Sequence, residues 1–182
     1  MLLGGVAAGF LARATNVQAR TSKPAPLVGL EGLTQPVEIY EDQWGVSHVQ
    51  AATIPDAFFA NGYLVARDRL WQLDFEYRRA TGHLAEVYGA AFVPSDTANR
   101  LFVYRGDAQA EFESLPETIQ ASARAYVAGI NAYLQQFSED DSKLPEEFKI
   151  FSYKPKIWDV LDLVHIRAEV TGNTKGEIRR AQ

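Results

Sequence analysis

The chain has 182 residues, 47% of them hydrophobic and 23% charged, the ordinary globular range and enough apolar material for a sizeable core. The formal net charge is −5 and no basic stripe stands out, which argues against nucleic acid as a partner. There is no cysteine, so disulfides, thiolate nucleophiles and cysteine-ligated zinc are excluded.

Residues 1–20, "MLLGGVAAGFLARATNVQAR", are signal-like. Leu2 to Ala12 form an apolar run with small residues, and Val17-Gln18-Ala19 is a small-x-small site. The run is shorter than the roughly twenty apolar residues that span a bilayer. No basic residue precedes it, as one would in a complete signal. It therefore reads as part of a longer exported precursor, or as an apolar helix packed on the body. Export would make the protein periplasmic or secreted. Residues 21–36 carry three prolines and two glycines and read as a linker or extended arm. The main domain runs over 37–182.

In that domain "VEIYEDQWGVSHVQ" has two β-like runs around Glu41, Asp42 and Gly45, which predicts a hairpin. A helix then begins near Pro55-Asp56, where Pro and an acid suit a first turn. Tyr63, Ala66, Leu70, Leu73, Tyr77, Ala80 and Leu84 recur at steps of three and four, one continuous helical face. Leu64, Trp71 and Phe75 widen it. Asp68 falls on their line, so a buried, paired carboxylate is expected there. Arg67, Arg69, Arg78 and Arg79 are its candidate partners. Gly82 is expected to bend the helix and Gly89 to stop it.

A second helix is predicted within 114–137, capped by Ser114, with Pro116 and Glu117 in its first turn. Its buried face is Ile119, Ala123, Tyr126, Val127, Ile130 and Leu134. After an acidic loop, a final helix starts at Trp158-Asp159 and carries Leu161, Val164, His165 and Ala168.

The three histidines, His48, His83 and His165, share no metal-binding spacing. Gly-x-Ser-x-Gly, Gly-x-Gly-x-x-Gly and the Walker pattern are absent. Acidic residues are plentiful, but nothing nominates a catalytic pair. Arg67 or Arg69 could bind an acidic ligand; alternatively Asp68, Asp74 and Glu76 neutralise these arginines inside a packed interface.

The blocks "WGVSHVQA", "DAFFANGYLVARDRLWQLD", "RRATGHLAEVYG", "YVAGINAYL", "LPEEFKIFSYKPKIWDVLD" and "GNTKGEIRR" occur in one order over about residues 37–180. In them the chain resembles the α chain of the penicillin acylase family of N-terminal-nucleophile hydrolases, which includes acylases of N-acyl-homoserine lactones. The resemblance implies an α+β chain, mostly helical with a short β-hairpin. It implies that a β subunit from the same precursor completes a four-layer αββα fold. The catalytic serine would begin that β chain, so no catalytic residue is expected here and the chain alone should be inactive. The substrate would be a small-molecule N-acyl amide, an acyl-homoserine lactone or a penicillin-type β-lactam. Higher oligomers of αβ units are compatible with this.

Within "GNTKGEIRR" the resemblance implies that Glu177 ligates a structural Ca²⁺ shared with β. It sets Thr171, Thr174 and Lys175 near the acyl group. Phenylacetyl-selective members carry an aromatic and a methionine there, over a longer connection, so this sequence departs from them. A long fatty acyl group is at least as compatible. The rival reading is a non-enzymatic helical module that docks through the aromatic-basic helix 63–84.

Overall fold

The structure, a computed structural model, describes residues 25–27, 29–138 and 140–170. The signal-like segment 1–20 lies outside the described residues.

Three strands come first: β1 (Ala25–Leu27), β2 (Val37–Glu41) and β3 (Ser47–Gln50). They form one antiparallel sheet in the order β1-β2-β3. The predicted hairpin is β2–β3. Its turn is closed by Asp42, whose N–H donates to the Val46 carbonyl at 3.1 Å. The Asp42 carboxylate accepts the N–H groups of Trp44 and Val46 at 2.8 and 3.0 Å. The arm read as a linker contributes β1. Ala25, Pro26 and Leu27 pair with Ile39, Glu38 and Val37; a Pro/Gly-rich composition does not disclose that β2 has a free edge to offer.

The helix α1 (Ile54–Thr81) begins where Thr53 caps it. The Thr53 hydroxyl accepts the Asp56 N–H at 3.1 Å and donates to the Asp56 carboxylate at 2.7 Å. Asp56 is fully buried. It also accepts the Thr34 N–H at 2.8 Å and the Thr34 hydroxyl at 2.7 Å, which ties the arm to the helix start. Gly82 does not bend α1; it ends it. At φ 72° it takes the left-handed conformation, and its N–H returns to the carbonyls of Arg78 and Arg79. The interruption falls at Arg69 instead, whose φ of −144° and ψ of 32° break the helical path.

Six further helices follow. They are α2 (Ala85–Tyr88), α3 (Val93–Arg100), α4 (Ala108–Glu113), α5 (Glu117–Leu134), α6 (Glu146–Ile150) and α7 (Asp162–Val170). Gly89 closes α2. The second predicted helix is therefore two. Ser114 ends α4 and turns its hydroxyl back to the Glu111 carbonyl at 2.7 Å, and Pro116 precedes α5 without a side-chain cap. Ile119, expected in the core, is 51% exposed; burial on α5 begins at Ser122. Periodicity marks the apolar stripe but not which of its positions another element covers. The final helix starts three residues later than Asp159. Trp158 is held outside it by Asn131, which donates to the Trp158 carbonyl at 2.8 Å and accepts its N–H at 2.9 Å.

The core is the antiparallel-like seam of α1 with α5. Ala66, Leu70, Val127, Ile130, Leu134, Phe137, Leu144, Phe148 and Trp158 form its main cluster. Each large side chain there contributes about 1.5–3 kcal/mol by leaving water. Val37 and Ile39 seat the sheet on Ala60 and Leu64 of α1. Val164 of α7 packs with Ala108 and Phe112 of α4. Two glycines set the seam's closeness. A Cβ on Gly62 would lie 2.0 Å from the Tyr126 carbonyl oxygen, and one on Gly129 would lie 2.0 Å from that of Phe59.

Gly62→Ala and Gly129→Ala should each lower unfolding stability by about 3 kcal/mol, since the obstruction is backbone and cannot rotate away. Denaturant unfolding of the purified protein reads this; a loss below about 0.5 kcal/mol would contradict so close a seam.

Burial raises the Asp56 pKa, but the hydrogen bonds from Thr53 and from the Thr34 and Gln35 backbone outweigh it and hold the carboxyl below its ordinary 3.8. A depressed folded-state pKa contributes stability that is full above 3.8 and lost as pH falls through the folded value. Asp56→Asn should flatten the acid limb of the stability–pH curve below about pH 4. An unchanged acid limb would assign it to other carboxylates.

Candidate functional site

The charged part of α1 sits on both sides of the break at Arg69. Sequence phase places Asp68 with Leu64 and Trp71 in the interior. The structure turns it outward, with its side chain 48% exposed, and buries Ala66 and Leu70 on either side of it instead. Asp68 pairs with its neighbour Arg67 at 2.7 Å. Arg67 also reaches Glu41 of β2 at 2.6 Å and the Ser47 hydroxyl of β3 at 3.3 Å. This group ties the sheet to the middle of α1.

The buried carboxylate of the helix is Asp74, 1% exposed. One oxygen accepts from Arg78 Nε at 2.7 Å and the other from the Lys156 N–H at 3.0 Å. Asp162, also buried, accepts the Asp159 N–H at 2.7 Å and pairs with Lys156 Nζ at 2.8 Å. These two aspartates pin the extended segment 154–161 across α1. Downstream, Arg79 pairs with Glu76 at 2.5 Å, and Arg69 bonds the Gln72 side chain at 3.1 Å. The arginines are thus largely neutralised within α1 and its neighbours, as the packed-interface reading expects.

Two open concavities flank the break. The larger, about 990 Å³, is lined by Arg67, Asp68, Arg69, Trp71, Gln72, Glu76 and Glu147 among others. Its polar groups are of both signs, and its lining includes no serine, threonine or histidine. It can hold a mixed polar surface but has no nucleophile with a base. The smaller, about 430 Å³, lies between β3 and the first half of α1.

Each histidine serves its own element. His48 Nε2 lies 3.2 Å from Asp42 across the hairpin, and His83 Nδ1 lies 2.9 Å from the Thr81 hydroxyl. His165 continues α7 through its N–H to the Leu161 carbonyl. Among the described residues no group of three or more His, Asp or Glu could hold a metal ion. Tyr77 and Tyr153 are pushed well above the ordinary tyrosine range. Burial is the main cause for both, followed by Asp162 for Tyr77 and the Tyr88 hydroxyl for Tyr153. They remain neutral hydroxyls near pH 7 and cannot act as bases there.

Thr171, Thr174, Lys175 and Glu177 lie outside the described residues. What leads to them is α7, anchored by Asp162 and Val164 against the body. The buried roles of Asp56 and Asp74 escape sequence reasoning, since their backbone partners, Thr34 and Lys156, lie 22 and 82 residues away.

The penicillin amidase family model matches residues 36–182, and the chain belongs to that family. It is 33% identical over 152 residues to the penicillin acylase 2 proenzyme of Pseudomonas sp. strain SE83, covering 82% of this chain and 19% of the proenzyme. To the penicillin G acylase of Escherichia coli it is 30% identical, covering 71% of this chain and 16% of the relative. To the acyl-homoserine lactone acylase QuiP of Pseudomonas aeruginosa it is 32% identical, covering 71% and 15%. The chain thus spans less than a fifth of these relatives' length. The solved structure of a thermostable penicillin G acylase from Alcaligenes faecalis superposes with a TM-score of 0.71 at 31% identity, over 80% of this chain and 76% of that chain. Its likeness to a small, mostly helical chain with an antiparallel sheet agrees with the fold expected from the sequence.

Asp74→Ala should cost about 3–5 kcal/mol, because it strands Arg78 and the Lys156 N–H. Asp68→Ala should cost under about 1 kcal/mol, as for exposed ion pairs. Thermal unfolding of both variants checks the order; equal losses would contradict the assignment of the buried carboxylate.

Proposed function

We propose that this chain is the α-chain portion of an acylase that hydrolyses the amide bond of N-acyl substrates. The observation that carries the reading is a contrast of coverage. The chain matches 76% of one solved penicillin G acylase chain, yet only 15–19% of the curated full-length relatives. It corresponds to one chain of such an enzyme, and the rest of the polypeptide supplies the remainder.

In this reading a β subunit from the same precursor completes the four-layer αββα fold and begins with the nucleophilic serine. The serine attacks the amide carbonyl and the amine departs. Water then releases the acid from the acyl-enzyme. The α chain contributes no catalytic group. Its work is to scaffold the β chain and to shape the acyl pocket through Thr171, Thr174 and Lys175. Glu177 supplies a hard oxygen ligand to a calcium shared by the two chains. The substrates are N-acyl-homoserine lactones, penicillin-type β-lactams, or both, and the site of action is the periplasm or the exterior. Relatives named for both activities support this range.

The pairing of Arg67 with Asp68 and Glu41, and of Arg78 with Asp74, weighs against a free basic docking face on α1.

The test is purification of the native gene product with intact mass, N-terminal sequencing, elemental analysis and an acyl-length series. A larger chain beginning with serine should co-purify, with calcium, and amine should be released from N-acyl substrates. A folded single chain that releases none from any acyl length would overturn the acylase reading.

A further inference from the structure

We infer that β3 is a docking edge, and that an extended segment of the acylase polypeptide outside this chain adds to it as the next strand of the sheet. This rests on the α-chain reading above and names where the partner is held.

The hairpin geometry orients the edge. The Asp42 N–H bonds the Val46 carbonyl, so those residues face each other as a hydrogen-bonded pair. Antiparallel pairs alternate along the ladder. In the observed register the next hydrogen-bonded pairs are Tyr40 with His48 and Glu38 with Gln50. Ser47 and Val49 therefore direct their N–H and C=O groups away from β2. Among the described residues nothing lies beyond β3 in the sheet, and none makes a backbone hydrogen bond to residues 47–50 from outside it. Such a row of free groups is a template for strand addition.

The side chains prepare the same place. Val49 is opposite Ile39, which packs on α1, so both point to the helix side. Yet Val49 is 38% exposed, because the helix and the edge diverge there. The 430 Å³ concavity lies in that gap, with Ala57, Asn61, Leu64 and Val65 as its floor. A strand hydrogen-bonded to Ser47 and Val49 would put alternate side chains into the gap. Small or medium apolar residues fit its lining, and Asp68 and Arg69 close its polar end. Around it Val46, Ile54 and Phe58 are exposed, and Trp44 at the hairpin tip is 79% exposed. An open strand edge ringed by exposed apolar side chains is a place for a cover. The occupant we assign is the missing part of the enzyme, because more than four fifths of the length of each relative compared lies outside the matched region.

Amide hydrogen exchange on the assembled enzyme, with its natural second chain, reads this directly. The Ser47 and Val49 amides should exchange as slowly as those of His48 and Gln50. Val49→Pro removes only the outward N–H, which an edge tolerates. It should leave α1 and α5 folded by circular dichroism but abolish co-purification of the second chain. Val49→Thr, which keeps the N–H and the branched shape, should retain it. If the second chain co-purifies while Ser47 and Val49 exchange freely, the edge inference fails and the acylase reading stands. If no second chain exists, both fail. Protection of these amides in this chain alone, rising with its concentration, would make a second copy the occupant and overturn the assignment.

Discussion

The contact on which the rest of the molecule depends is the crossing of α1 and α5 at Gly62 and Gly129. Each glycine lets the other helix's backbone approach to a distance at which no Cβ fits, over Tyr126 on one side and Phe59 on the other. This brings Ala66, Leu70, Val127 and Ile130 into one layer without a gap. Dispersion forces fall steeply with distance, so a seam widened by one methyl group would loosen many contacts at once. The sheet, the segment 154–161 and the C-terminal helix are all hung on this pair.

What hangs them is a set of buried aspartates. Asp56 holds Thr34, Asp74 holds Lys156 and Asp162 holds Asp159. Asp96 accepts the N–H groups of Leu84 and Ala85 at 3.0 and 2.7 Å, at the start of α2. In each case a carboxylate satisfies backbone donors that would otherwise be buried without partners. A buried charge is costly when alone, but here each has two or more donors. The arrangement fixes loops that have little hydrophobic material of their own. It therefore fixes where α7 starts against the body.

The charges of α1 that are dense in sequence turn out to be structural. Arg67 binds Glu41 of β2 and Arg78 binds Asp74 of its own helix, and what remains exposed is a mixed polar concavity with no nucleophile. Apolar side chains are left exposed around the β3 edge and the hairpin tip, and also at Leu101, Ile150 and Ile157.

Much of this was legible in the sequence. The stripe from Tyr63 to Leu84, the hairpin around Asp42-Gly45 and the long α5 follow from periods of 3.6 and 2 and from turn chemistry, which are local properties. The ordered motif blocks pointed to the family, which the family model over residues 36–182 bears out. The tertiary structure alone decided the rest. Asp68 is outside and Asp74 inside because the covered face of α1 runs through Ala66, Leu70 and Asp74, where α5 and the segment 154–161 pack. Ile119, on the apolar stripe of α5, is exposed. The arm is a strand because β2 had an open edge, and Ser114 ends a helix because Pro116 starts another. Periodicity states which residues share a face. It does not state where a helix is interrupted, which element lies opposite, or which distant N–H a carboxylate will meet, since these depend on residues tens of positions away.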